Sequence, residues 1–379
     1  MSAIDEVGVA AYTVPAEKRE ADGTLEWSST SVVVVEASAG GVRGLGHTYA
    51  PRAAAALIHD QLAEVVTGND PLDVPGAWEA MVRSVRNIGR PGLASRAIAA
   101  VDVALWDLKG KLLGTSVARL LGAVRTEVPV YASGGFISYG DDELAERLAG
   151  WVREWRIPRV KMKVGTGGGT DPGADLRRVA LAREAIGPRA ELYVDANGAY
   201  SVKQAVSMAR RMAELGVTWF EEPVSSDDLD GLRRVAELID LEVAAGEYAT
   251  TLFQFLALLR AGAVDILQAD LARCAGITEW LRAAALAASF NRDISGHVAQ
   301  SLHVHPACAV PNLRHIEYFE DHHRVERLLF DGVLDPVDGR LRPDLDRPGL
   351  GLELRRADAA RFATSAGSTG AAAARTRPE

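Results

Sequence analysis

From about residue 126 onward, short β-type runs alternate with longer helical ones, and seven successive runs finish in ionisable residues. The eight runs are "VPVYASG", "RVKMKVG", "ELYVDAN", "TWFEEP", "LEVAAGE", "VDILQAD", "DISGH" and "RHIEYF". Between them lie patterns such as "DDELAERLAGWVREW", "LRRVALAREAIG" and "VKQAVSMARRMAELG", with apolar residues at helical spacing. Such alternation builds βα units on a parallel sheet, and eight units close an α/β barrel.

The barrel reading resolves an oddity in "RVKMKVG". Side chains alternate along a strand, so Lys161 and Lys163 share one face. Two buried ammonium groups are costly without opposite charges. The following strand ends supply them: Asp195, Glu221 with Glu222, Glu247, Asp270, His297 and Glu317, in steps of 20–32 residues. In a barrel all these ends meet at one mouth, where such enzymes keep their active sites.

Any one acid there reads as a solvated strand end. Asp195, Glu221 and Glu247 at three successive ends read instead as a hard oxygen set, favouring Mg²⁺ over zinc. Asp270 and His297 end neighbouring strands, so the carboxylate can orient the imidazole and favour its charged form. One of the paired lysines can serve as base if the neighbouring cation lowers its pKa. Glu317, if protonated, can donate to a substrate oxygen. His59, His303, His305, His315, His322 and His323 read as ordinary interior or surface groups. "KVGTGGGTDPG" lacks phosphate-loop spacing and reads as a flexible barrel loop. "GGVRGLGHTY" reads as a hairpin and loop, from which His47 reaches the mouth if the first domain caps the barrel.

Residues 1–125 read as an α+β domain. Strands at "VGVAAYTVPA" and "STSVVVVEAS" flank the charged loop "EKREADGTLEW", and helices follow at "PRAAAALIHDQLAEVVTG" and "LASRAIAAVDVALWDLKGKLLG". Residues 126–330 form the barrel, and 331–363, rich in Pro, Gly and Asp, are expected to return to the first domain. Residues 364–379 read as a disordered tail. A net charge of −9 without basic runs argues against nucleic-acid binding, and no apolar stretch has membrane-spanning length. Two cysteines give no disulfide framework, so a soluble, cytoplasmic protein is expected.

The ordered set "KMK", "DANGAY", "WFEEP", "AAGE", "QAD", "SGH" and "HIEYF" resembles the enolase superfamily, specifically its mandelate racemase subgroup. The resemblance covers nearly the whole chain; "AIAAVDVALWDLKGKLLG" is similar to the last helix of that family's capping domain. It implies a modified TIM barrel, (β/α)7β, capped by an α+β domain built from both chain ends. It implies Mg²⁺ on Asp195, Glu221 and Glu247, Lys163 as one acid/base, and the His297–Asp270 dyad as another on the opposite face. Lys161 would tune Lys163 and help neutralise the substrate carboxylate, and Glu317 would be an electrophilic hydrogen-bond donor. A homo-oligomer acting on a small carboxylate is also implied.

The expected reaction is removal of a proton beside that carboxylate through an enediolate. Dehydration of an acid sugar, an aldonate or aldarate, to a 2-keto-3-deoxy acid is the preferred outcome. The stretch with Glu17, Lys18, Arg19 and Glu20 suits a polyhydroxylated ligand. Lys18, Arg19, Trp27, His47 and Asn197 are the candidate substrate contacts. The alternatives are racemisation of a 2-hydroxy acid and a catalytically silent barrel used for binding or assembly. Muconate-type cycloisomerisation and dipeptide epimerisation are disfavoured: the resemblance implies a second lysine on the sixth strand for those, and "LQADLARCAG" offers Asp270 and Arg273 but no lysine.

Overall fold

The computed structural model describes residues 2–364; the remainder of the expected tail lies outside the described residues. A three-stranded antiparallel sheet opens the chain: β1 (Glu6–Ala21), β2 (Glu26–Ala39) and β3 (Val42–Tyr49), in the order β1-β2-β3. Val32, Val33, Val34 and Val35 of β2 are all buried. The helix Leu93–Leu112 lies along β3. Gly44 and Gly46 permit this approach, since a Cβ on either would collide with the carbonyl oxygen of Ala104 or Ala100.

Two readings of this region are corrected. The charged stretch after Pro15 is mostly strand, not loop: β1 runs to Ala21, and β2 starts at Glu26. A register shift between Pro15 and Glu20 absorbs the irregularity, so the ladder continues past the charges. The turn itself is residues 22–25, where Asp22 Oδ1 accepts from the amides of Thr24 and Leu25 at 2.7 and 2.8 Å. "GGVRGLGHTY" is likewise a hairpin whose second half is β3, turned at Gly40 and Gly41 with φ of 56° and 82°. The helix Val74–Ser84, capped by Asp73, has no counterpart in the sequence reading.

The barrel follows as eight parallel strands: β4 (Val128–Ser133), β5 (Arg159–Lys163), β6 (Glu191–Asp195), β7 (Val217–Glu221), β8 (Glu242–Ala245), β9 (Ile266–Ala269), β10 (Asp293–Gly296) and β11 (Leu313–Phe319). Each pairs with the next, and β11 returns to β4 to close the ring. The eight runs read from the sequence are these eight strands.

Returning chain makes two attachments. Arg340 and Leu341 pair antiparallel with the start of β4. Further on, Ala363 bridges Tyr12, and the Thr364 amide donates to Ala11 O at 2.9 Å, clamping the middle of β1. The capping domain is also stitched to the loop after β9. Thr48 Oγ1 donates to Ala272 O at 2.6 Å, and Trp78 Nε1 to Ala275 O at 2.8 Å. Asp102, deep in the helix Leu93–Leu112, accepts from Thr278. Among the described residues no helix is long and apolar enough to cross a membrane.

Candidate active site

The barrel interior is layered by the two-residue period of its strands. The lower layer is aromatic and polar. Tyr193 stacks on Trp219 at 5.1 Å, Gln268 Nε2 donates to Tyr131 OH at 2.9 Å, and Ser295 Oγ lies 3.0 Å from His315 Nδ1. Two residues onward each strand, or the turn just after it, delivers an ionisable group. Tyr193 is followed by Asp195, Trp219 by Glu221, Gln268 by Asp270, Ser295 by His297 and His315 by Glu317. All are buried. The aromatic floor excludes water from below, which strengthens every charge interaction above it.

Asp195, Glu221 and Glu247 offer carboxylate oxygens within 4.8 Å of one another. Lys163 bonds Asp195 at one flank of this trio. At the other flank His297 Nε2 lies 3.2 Å from Glu247 Oε2, and its Nδ1 lies 3.0 Å from Asp270 Oδ2. Lys161 sits beneath, 2.5 Å from Glu221 and 2.8 Å from Glu317. Arg273 ties the second flank together, reaching Glu247 Oε1 at 3.0 Å and Asp270 Oδ2 at 3.1 Å.

The trio fits a hard divalent cation. Its donors are three carboxylates, and Glu247 Oε2 is buried with no aligned hydrogen-bond donor, His297 being off-axis. Glu221 is pushed up to about 8: burial raises it, Lys161 opposes, and the neighbouring Asp195, Glu317 and Glu247 raise it further. Crowded like charges of this kind are relieved by a bound cation.

Two groups are shifted against the sense that the sequence expectations need. Burial alone would lower the Lys163 pKa, and Lys161 adds to that, but direct contact with Asp195 wins and raises it. Glu317 is drawn toward its ionised form. Burial raises its pKa, yet Lys161, His297 and Lys163 outweigh burial and bring it down to about 2. His297 is shifted in the expected sense: burial works against the charge, but Glu247, Glu317 and the Asp270 bond lift its pKa to about 9.

A cavity of about 200 Å³ opens above this layer, with Lys163, Glu247, Arg273, His297 and Glu317 in its floor. Of the expected substrate contacts, Trp27 and Asn197 line it. Trp27 is held by its Nε1 bond to Glu20 at 2.7 Å, and Asn197 donates its backbone amide to Asp195 Oδ1 at 2.8 Å. The others do not reach it. Lys18 pairs with Glu143 beside a neighbouring 480 Å³ cavity, and Arg19 pairs with Glu26 on the surface. Both are exposed residues in the register-shifted part of β1, which a loop reading could not assign. His47 is fully buried, stacked on Phe330 at 4.8 Å and 3.7 Å from Glu326, and does not line the cavity.

Sequence reasoning missed His322. It lines the cavity, stacks on Tyr49 with 3.4 Å between ring centres, and accepts from the Ala299 amide at 3.4 Å. It lies beyond the end of β11, where strand periodicity gives no signal. Val298 and Ala299, which follow His297, both have φ of 43°, a strained turn for non-glycine residues that fixes the imidazole's exit from β10.

Comparisons with known proteins agree with this architecture. The family model described as mandelate racemase / muconate lactonizing enzyme, N-terminal domain, matches residues 11–122, and that described as enolase C-terminal domain-like matches 143–359. L-talarate/galactarate dehydratase of Salmonella typhimurium is 33% identical over 332 residues, 86% of this chain and 81% of its own. Its structure with Mg and L-lyxarohydroxamate aligns at 30% identity with a TM-score of 0.88, covering 96% of this chain and 93% of that one. D-galactarolactone cycloisomerase of Agrobacterium fabrum is 34% identical over 337 residues, covering 83% of this chain and 86% of its own. A mandelate racemase/muconate lactonizing enzyme-like protein from Rubrobacter xylanophilus is 50% identical with a TM-score of 0.92, covering 96% of this chain and all of that one.

Proposed function

The chain belongs to the mandelate racemase/muconate lactonizing enzyme family of the enolase superfamily, and from that premise we propose that it dehydrates an acid sugar to a 2-keto-3-deoxy acid, using Mg²⁺. The observation that carries this reading is the flanking of one carboxylate trio by two proton carriers, Lys163 and His297, in a single cavity.

Asp195, Glu221 and Glu247 would hold the ion, which when bound supplies Lewis-acid stabilisation of charge developing on the substrate carboxylate. Lys163 takes the α-proton and the electron pair moves into the carboxylate. His297, charged at neutral pH and oriented by Asp270, gives its proton to the departing β-hydroxyl, so water leaves and the enol relaxes to the keto acid. Pairing with Asp195 favours the protonated form of Lys163; an Asp195 shared with a divalent cation would attract that proton less, which frees the amine to act as the base. Lys161, ionic and buried, adds preorganised positive charge near the forming dianion. Glu317, held ionised, acts by keeping Lys161 and His297 charged and placed.

The test is incubation with Mg²⁺ and a panel of acid sugars in D₂O. Dehydration gives a 2-keto acid that has lost one water and carries solvent deuterium at C3. Racemisation, the second reading on the same two-sided base arrangement, gives α-deuterium in recovered substrate without keto acid. A cycloisomerase product has the mass of its substrate.

A further inference from the structure

We infer that the substrate is a monocarboxylate whose far end is uncharged and hydroxylated, an aldonate rather than an aldarate. This deepens the dehydratase reading and rests on it for the chemistry, though not for the binding preference.

The cavity's charges are distributed unevenly. Its two permanent cations stand at the trio and are already engaged there, Lys163 with Asp195 and Arg273 with Glu247 and Asp270. Beyond these charged groups the lining includes Asp22, Trp27 and Thr30 of the cap and Phe319, Asp321 and His322 of the barrel. Among these six described residues are two carboxylates and no lysine or arginine. Asp321 is buried and fixed, accepting from Thr30 Oγ1 and pairing with Arg324 at 2.8 Å. That arginine lies behind it, in the wall of the neighbouring cavity. A second substrate carboxylate reaching this part of the lining would meet Asp321 at close quarters with no free cation, in a setting where like charges repel strongly.

The same part of the lining is equipped for hydroxyl groups. His322 Nδ1 is committed as an acceptor to the Ala299 amide, so the neutral ring carries its proton on Nε2. Burial holds the ring neutral. Among the described residues Nε2 has no hydrogen-bond partner, and His322 lines the cavity, so it offers a neutral donor. Asp321 supplies acceptors beside it. A donor next to an anionic acceptor matches a hydroxyl, which both accepts and donates, and mismatches a carboxylate.

The experiment measures binding and turnover separately. Thermal stabilisation of the Mg²⁺-loaded protein is compared across matched pairs, such as D-galactonate against galactarate and D-gluconate against glucarate, and keto acid is assayed in parallel. The expected result is at least tenfold tighter binding within the aldonate set. His322→Phe, which keeps the stack on Tyr49, is expected to weaken aldonate binding about tenfold, with partial recovery in His322→Gln. Asp321→Asn is expected to narrow the preference against aldarates. Equal or tighter binding of aldarates overturns the inference and leaves the dehydratase reading standing. Aldonate binding without keto acid overturns the dehydratase reading alone, and no binding by either class overturns both.

Discussion

Asp270 Oδ2 stands 3.0 Å from Nδ1 of His297, so this imidazole at the mouth is aimed from behind, with Nε2 on the Glu247 side of the cavity. An Asp270→Asn variant keeps a hydrogen-bond acceptor of similar shape but removes the charge. Its kcat is expected to fall between about a hundred- and ten-thousandfold, with Mg²⁺ affinity nearly unchanged. Steady-state kinetics beside calorimetric metal titration check both halves.

Glu221 is central in the trio and also anchors Lys161 at 2.5 Å. Glu221→Gln is expected to weaken Mg²⁺ binding by about a hundredfold or more and to abolish turnover. Calorimetry reads the first effect directly. Unchanged Mg²⁺ affinity would remove the trio from the metal site and favour a silent barrel.

Acid sensitivity is expected from a histidine far from the mouth. His305 accepts from the Ala118 amide at 3.2 Å and lies 3.0 Å from Leu350 O, joining the returning chain to the barrel. Burial lowers its pKa to about 4, against the Leu350 bond, which raises it. The unfolded chain, with an ordinary value near 6.5, therefore takes up the proton first. Stability is complete above about pH 6.5 and is lost as pH falls toward 4, by roughly 3 kcal/mol in all. His305→Leu should be less stable at pH 7 by about 2 kcal/mol, from unpaired backbone groups, yet show a flatter fall toward pH 5. Denaturant unfolding at the two pH values separates the effects.

Gly46→Ala would drive a methyl into the carbonyl of Ala100 on the helix Leu93–Leu112. A loss of about 2–3 kcal/mol is expected. Thermal unfolding should show a Tm lower by roughly 5 °C or more, while the mouth keeps its metal affinity.

The barrel is legible in the sequence because each strand carries its own period-two signature and each strand end its own charge. Lys163, Asp195 and His297 therefore come together as their spacing implies. What stays hidden depends on neighbours that periodicity cannot see. Glu317 looks free to be protonated until Lys161 is found 2.8 Å away. The stretch Glu17–Glu20 looks like a loop because its charges mask a ladder supplied by β2. His322 looks ordinary because its value comes from Tyr49, a partner 273 residues earlier.

The clamp of Ala363 and Thr364 on the middle of β1 makes the first hairpin a lever with a fixed fulcrum. Its long arm ends at Asp22 and Leu25, which roof the cavity, and at Gly23, which sits so near Ala196 O and Val164 O that no larger residue fits. Loosening at the fulcrum is magnified at that tip. Ala363 and Thr364 thus bear on how firmly that roof is held over the cavity, although neither lines it.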